Sequence, residues 1–122
     1  MKLRIKGNSI RFRLTKSEVD YFGKEGNLAD EIDFGSSKLA YSINIKIEAK
    51  SMSAFFEDNK ITVYITEDQA NQWVSTEKVG LNSELELKAG GKLYILIEKD
   101  FKCLDETIED QSDNYPNPLS EK

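Results

Sequence analysis

The chain has 122 residues, a formal net charge of −5, 39% apolar and 32% charged residues, no histidine and one cysteine. That length supports one domain with a single core built without disulfides or metals, and Cys103 alone cannot form an internal disulfide, which suits a reducing, cytoplasmic setting. No apolar run reaches membrane-spanning length, and the basic start is not followed by an apolar leader, so neither a span nor a signal peptide is expected.

Residues 1–16, MKLRIKGNSIRFRLTK, hold six cations and no acid. Leu3, Ile5, Ile10, Phe12 and Leu14 alternate with Lys2, Arg4, Lys6, Arg11 and Arg13 about Gly7-Asn8, which predicts a β-hairpin with one core face. A two-residue loop sets Ile5 opposite Ile10 and Leu3 opposite Phe12. It also sets Arg4 opposite Arg11 and Lys2 opposite Arg13. Like charges directly opposite one another destabilise a ladder, so an anionic neighbour is expected beside that face.

Thr15-Lys16-Ser17-Glu18 is a capping-box pattern, followed by Val19 and Phe22 at helical spacing and Gly23 as a stop. Gly26-Asn27 reads as a loop, Ala29 to Phe34 as a short strand, and Gly35-Ser36-Ser37 as a turn. From Leu39 to Ala49 every odd residue is apolar, which predicts a long strand with one wet face. Residues 51–56 fit no single element, and Asp58-Asn59 is a turn. Residues 61–65 (ITVYI) form a strand, and Thr66-Glu67-Asp68-Gln69 repeats the capping pattern ahead of an apolar stripe of Ala70, Trp73 and Val74. Gly80 and Asn82-Ser83 read as breaks, Glu84 to Lys88 alternates, and Ala89-Gly90-Gly91 turns. Leu93 to Ile97 is apolar throughout, which predicts a central strand covered on both faces.

A shift of 51 residues superposes Asn8 on Asn59, Ile10 on Ile61, Phe12 on Val63, Leu14 on Ile65, Thr15 on Thr66, Val19 on Ala70 and Phe22 on Trp73. Duplication explains this pattern, and so does the generic appearance of any strand running into a capped helix. The fold class expected is β-rich α+β, a small, mostly antiparallel barrel or curled sheet with two short helices. If the repeat is real, it is built from two strand–strand–helix–strand halves. Residues 1–104 then form the globular domain. Residues 105–122 carry six acids against Lys122, two prolines and few apolar groups, the composition of a disordered acidic tail.

The stretches KGNSIRFRLTKSEV (6–19), FG (34–35) and FKCLDETIEDQSDNYPNP (101–118) resemble an uncharacterised family of small bacterial proteins. The resemblance spans most of the chain, brings no catalytic residue with it, and implies that the acidic segment belongs to the protein. The opening strand also invites comparison with triphosphate-processing tunnel enzymes, whose N-terminal strand carries alternating glutamates before a lysine. Lys2-Leu3-Arg4-Ile5-Lys6 has no acid, so the metal-binding half of that motif is missing and the activity is rejected.

Without histidine the commonest general base and metal ligand are gone, and seven scattered glycines never form a phosphate-cradling run. No catalytic residue, metal site or cofactor is expected. Cys103 reads as a small buried hydrophobe. Glu84 with Glu86, and Glu31 with Asp33, share strand faces; they are expected to neutralise hairpin cations rather than act as acid and base. Trp73, Phe22, Phe55, Phe56 and Tyr64 are expected in the core more than around a ligand. The acidic whole argues against broad nucleic-acid binding. What remains is a binding or regulatory module whose anion or partner site is Lys2, Arg4, Lys6, Arg11 and Arg13. The alternative is a small enzyme or sensor for a phosphorylated or carboxylated metabolite, since arginine forks suit oxyanions. The sequence leaves open whether the partner is a protein or a small anion, and in what oligomeric state the chain works.

Overall fold

The first fourteen residues form the hairpin that their alternation predicts, β1 (Lys2–Lys6) and β2 (Ser9–Leu14), with Arg4 opposite Arg11 and Ile5 opposite Ile10. The computed structural model describes residues 1–101. After β2 come α1 (Lys16–Glu25), β3 (Asn27–Asp33), β4 (Lys38–Lys46), β5 (Ser53–Glu57), β6 (Lys60–Thr66), α2 (Glu67–Ser75), β7 (Gly80–Glu86) and β8 (Lys92–Lys99). Cys103 and the expected acidic tail lie outside the described residues.

Local chemistry sets the element ends. Both helices open with complete capping boxes, Thr15 with Glu18 and Thr66 with Gln69. Each hydroxyl takes an orphan N–H of the first turn while the N3 side chain returns to the cap. Gly26 closes α1 at φ 78°, where a Cβ would be strained, and its N–H donates to the Phe22 carbonyl at 2.8 Å. The β5–β6 turn places Asp58 and Asn59 at φ 51° and 61°, the left-handed pair of a two-residue hairpin, which short polar side chains tolerate.

The strands pair as two four-stranded sheets, β1-β2-β8-β7 and β3-β4-β6-β5. Outer ladders are antiparallel, while the central pairs, β2 with β8 and β4 with β6, are parallel. The expected barrel is therefore not closed, and its curled-sheet alternative is the one that fits. Each sheet is two hairpins joined through their inner strands, so β1, β7, β3 and β5 remain edges. The apolar faces bury against each other instead of against a closed ring.

The repeat is present in the topology. Replacing β1, α1, β2, β3 and β4 by β5, α2, β6, β7 and β8, and the reverse, converts one sheet order into the other. Each half is strand–strand–helix–strand–strand, one strand more than expected, and each half gives one hairpin to each sheet. Details follow the same two-fold. Phe12 pairs with Ile97 as Val63 pairs with Ile43, and the Lys92–Glu84 ion pair (3.1 Å) answers Lys38–Glu31 (3.4 Å). The helices meet at equivalent residues: Phe22 and Trp73 pack edge to face, with centroids 6.1 Å apart, and Gly23 lies against Val74.

One core joins both sheets and both helices: Phe12, Leu14, Val19, Phe22, Ile43, Met52, Ile61, Val63, Ile65, Ala70, Trp73, Leu81, Ile95 and Ile97 are buried. Ile10, Ile45, Leu85 and Leu93 pack against it half-buried. Trp73 satisfies its indole by donating to the Val79 carbonyl at 3.0 Å.

Four local expectations are corrected. The long strand ends at Lys46 rather than Ala49, because the chain turns with the Ala49 N–H donating to the Lys46 carbonyl, and this leaves Ile47 exposed. Gly80 and Asn82-Ser83 do not break the chain. They form the start of β7, an edge strand whose ladder to β8 tolerates poor strand formers. Residues 53–57 are a strand, and its Phe55 and Phe56 are exposed rather than core, because they sit on a sheet edge. Finally, β8 is central as expected, yet among the described residues it is covered on one face only: Ile95 and Ile97 are buried, whereas Tyr94 is 46% exposed.

Candidate functional site

The outward side of β8, uncovered among the described residues, belongs to a sheet face on which all five singled-out cations project. Side chains alternate along a strand, so the inward-facing Leu3, Ile10, Phe12, Ile95 and Ile97 turn Lys2, Arg4, Lys6, Arg11 and Arg13 outward. Three rows cross the four strands: Lys6–Ser9–Tyr94–Glu84, Arg4–Arg11–Leu96–Asn82 and Lys2–Arg13–Glu98–Gly80.

The anionic neighbour demanded by the facing cations is Glu98. Its Oε1 accepts from Arg13 Nε at 3.0 Å and Nη2 at 2.8 Å, and lies 3.6 Å from Arg11 Nε. Asp100, the next outward position, accepts from Lys2 Nζ at 3.2 Å. The expected neutralisers act elsewhere. Glu84 is two strands away from β2 and pairs with Lys92, raising the lysine pKa through that hydrogen bond and charge. Glu31 pairs with Lys38 on the other sheet. Among the described residues, Glu98 and Asp100 thus bring two carboxylates to a face that carries five cations.

The face is hollowed. A depression of about 580 Å³ runs over Ser9, Arg11, Asn82, Glu84, Tyr94 and Leu96. An adjoining one of about 290 Å³ is lined by Lys2, Leu3, Arg4, Arg11 and Arg13. Arg11 lines both, so its guanidinium stands between a basic hollow and one floored by an aromatic ring and an aliphatic side chain. Ser9 Oγ donates to the Lys6 carbonyl at 2.6 Å, which fixes the hairpin turn. Chemically, the face offers arginine forks for oxyanions beside apolar and hydrogen-bonding surface.

The two-fold supplies an internal comparison. On the second sheet the positions equivalent to Arg4, Arg11 and Arg13 are Phe55, Thr62 and Tyr64. There Phe55 and Tyr64 pack edge to face at 6.0 Å, and Lys46 Nζ stands 5.2 Å over the Tyr64 ring. The same backbone thus carries neutral side chains where the first sheet carries three guanidinium groups.

A second titratable cluster lies between α1 and β3. The Met1 ammonium donates to Glu18 and lies 3.7 Å from Asp30, while the Tyr41 hydroxyl donates to the Met1 carbonyl at 3.4 Å. Burial pushes the Glu18 carboxyl up, but the ammonium and the Thr15 N–H and hydroxyl outweigh it and hold the carboxyl below its usual range. Burial, then the Asp30 and Glu18 charges, push the Tyr41 phenol up. These bonds join the β1 start to the second sheet and to the α1 cap, a structural role. Among the described residues, no three or more Cys, Asp or Glu side chains are grouped to hold a metal, and no helix is long and apolar enough to cross a membrane.

Sequence reasoning placed the five cations on one face but missed Glu98, Asp100, Tyr94, Leu96 and Asn82. The available signal was that Glu98 and Asp100 continue the alternation of Tyr94 and Leu96 past the apolar run.

Residues 1–119 match a family of unknown function, DUF7009, and the chain belongs to it. No curated protein and no solved structure matches the chain.

Proposed function

We propose that this family member is a non-enzymatic, cytoplasmic binding module whose open basic sheet face takes an anionic ligand bearing several oxygens. The observation that carries this reading is the asymmetry between the two sheets. The fold is the same on both sides of the two-fold, yet only the first sheet faces outward with Arg4, Arg11 and Arg13. Facing cations weaken a hairpin, and a bound anion would offset that cost on the one sheet that carries these arginines. The hollows that meet at Arg11 favour a small molecule, with its anionic groups on the arginines and its body over Leu96 and Tyr94. Catalysis is not favoured: Glu98 and Glu84, the carboxylates in the rows, are tied to Arg13 and Lys92, and the Ser9 hydroxyl donates to the Lys6 carbonyl.

A second reading has an acidic segment of a protein partner on the same face. It is favoured by β1 being, among the described strands, the edge of the sheet beside the cations, where a partner strand could be added. Titration of the full chain with inorganic phosphate, pyrophosphate and citrate, followed by calorimetry, tests the first reading. A charge-assisted hydrogen bond contributes about 1.5–3 kcal/mol, so Arg11→Ala should weaken binding about 10-fold or more, while Lys46→Ala on the opposite sheet leaves it unchanged. Equal binding by Arg11→Ala and the unaltered chain refutes the site. Absence of binding by all three anions moves the assignment to the protein partner.

A further inference from the structure

The acids that balance the basic face come from the end of β8, and the chain continues directly from them. Asp100 is held at the corner of the face twice, by its N–H donating to the Leu14 carbonyl at 2.8 Å and by its carboxylate on Lys2. Glu98, two residues earlier, is on Arg13. Each further row toward the hairpin turn is two residues along the strand, roughly 7 Å. The Arg13, Arg11 and Ser9 rows therefore lie roughly 7, 13 and 20 Å from Asp100. The sequence beyond Phe101 places Asp105 and Glu106 five and six residues past Asp100, then Glu109, Asp110 and Asp113. At roughly 3.3 Å per residue, Asp105 and Glu106 reach the Arg11 row with length to spare. The family match runs through this segment to residue 119, so the segment lies in the matched region together with the basic hairpin.

We infer that the acidic C-terminal segment, residues 102–122, is the intramolecular occupant of the basic face, continuing the series begun by Glu98 and Asp100 and competing there with the external anion. The inference rests on the face being an anion site, as proposed above. Charge complementarity selects this occupant: a net-negative segment is tethered at the corner of the one face that concentrates positive charge. A short tether holds it at an effective concentration in the millimolar range, so contacts too weak to matter between separate molecules still occupy the site. Because the attraction is between solvated charges, it fades as salt shortens the Debye length to about 8 Å and below. An external ligand must displace the segment, so the face responds only to anions that bind more tightly than a few carboxylates.

The test uses three full-length variants. In one, Asp105, Glu106, Glu109, Asp110 and Asp113 become their amides; in the second, exposed Glu25, Glu48, Glu57, Asp58 and Glu77 do, giving the same change in net charge; the third adds Arg11→Ala to the first. Pyrophosphate is titrated at low and at physiological salt, and the arginine Nε–H NMR signals are compared without ligand. The expected result is about threefold or more tighter binding by the first variant than by the second at low salt. The advantage should shrink at physiological salt, and the Arg11 and Arg13 signals should move in the first variant only. Equal affinities of the first two, or unmoved arginine signals, overturn the tail as occupant. If those signals move but adding Arg11→Ala leaves pyrophosphate binding unchanged, it is the site reading that fails, and the tail contact stands without it.

Discussion

A methyl group added at Gly23 probes the helix crossing on the two-fold. A Cβ built there would sit 2.7 Å from Val74 Cγ1, with the rest of the valine side chain at 3.7 Å. Optimal carbon contacts are about 3.5–4.0 Å, and a β-branched side chain in a helix has essentially one rotamer, so Val74 cannot swing away. In an open helix, Gly→Ala gains about 1 kcal/mol. Overpacking at a close contact costs about 1–3 kcal/mol. Gly23→Ala should therefore leave the protein unchanged or destabilise it by up to about 2 kcal/mol. In a Val74→Ala background the obstacle is gone, and the same substitution should stabilise by about 1 kcal/mol. Urea unfolding of the four proteins, with a common m-value, gives the coupling directly. A gain of about 1 kcal/mol from Gly23→Ala in both backgrounds would refute the close crossing.

Core truncations should follow burial: Ile43→Ala and Ile97→Ala, at fully buried positions, should each cost about 2–5 kcal/mol in urea unfolding, and half-buried Leu93→Ala clearly less. Thr15→Ala and Thr66→Ala should each cost about 1 kcal/mol and add when combined, since each removes its own cap; thermal or urea unfolding reads both. The Glu18 carboxyl is held below its usual range in the fold, so its contribution is present above the unfolded-state value and lost as pH falls through the lower folded value. Glu18→Gln, which reproduces the capping pair of Thr66 and Gln69, should leave a flatter stability profile below about pH 5 while keeping the helix cap. A profile as steep as that of the unaltered chain would assign the acid dependence to other groups.

The hairpin register, both capping boxes and the repeat were legible because each depends on residues close in sequence: alternation about a two-residue turn, or a hydroxyl three positions before Glu or Gln. The repeat also carried a signal in its methionines, since the shift that superposes the caps places Met1 on Met52, and both pack at the core. Parallel pairing of β2 with β8 left no comparable mark. Its partners are 85 residues apart, as Arg11 is from Leu96, and nothing local distinguishes them from antiparallel neighbours. That is also why the candidate site was half visible. Its cations lie in one hairpin, whereas Glu98, Tyr94 and Leu96 reach them only through that parallel ladder. Leu93 to Ile97 suggested two covered faces because hydropathy cannot tell an apolar side chain buried by a second layer from one flooring an open hollow.

The shared sheets also set the order in which the molecule can be made. At roughly 5–20 residues per second, the ribosome delivers β8 about 4–17 s after β2. For that interval the first hairpin has no parallel partner. Its inner strand is then an open template, with apolar Ile10, Phe12 and Leu14 along one side, the kind of edge on which nascent chains aggregate. Arg4, Arg11 and Arg13 are on that hairpin from the start, while Glu98 and Asp100 arrive only with β8. Mutual repulsion between waiting hairpins on neighbouring chains is strongest while it is needed, and it declines when the native strand brings its own acids into the ladder.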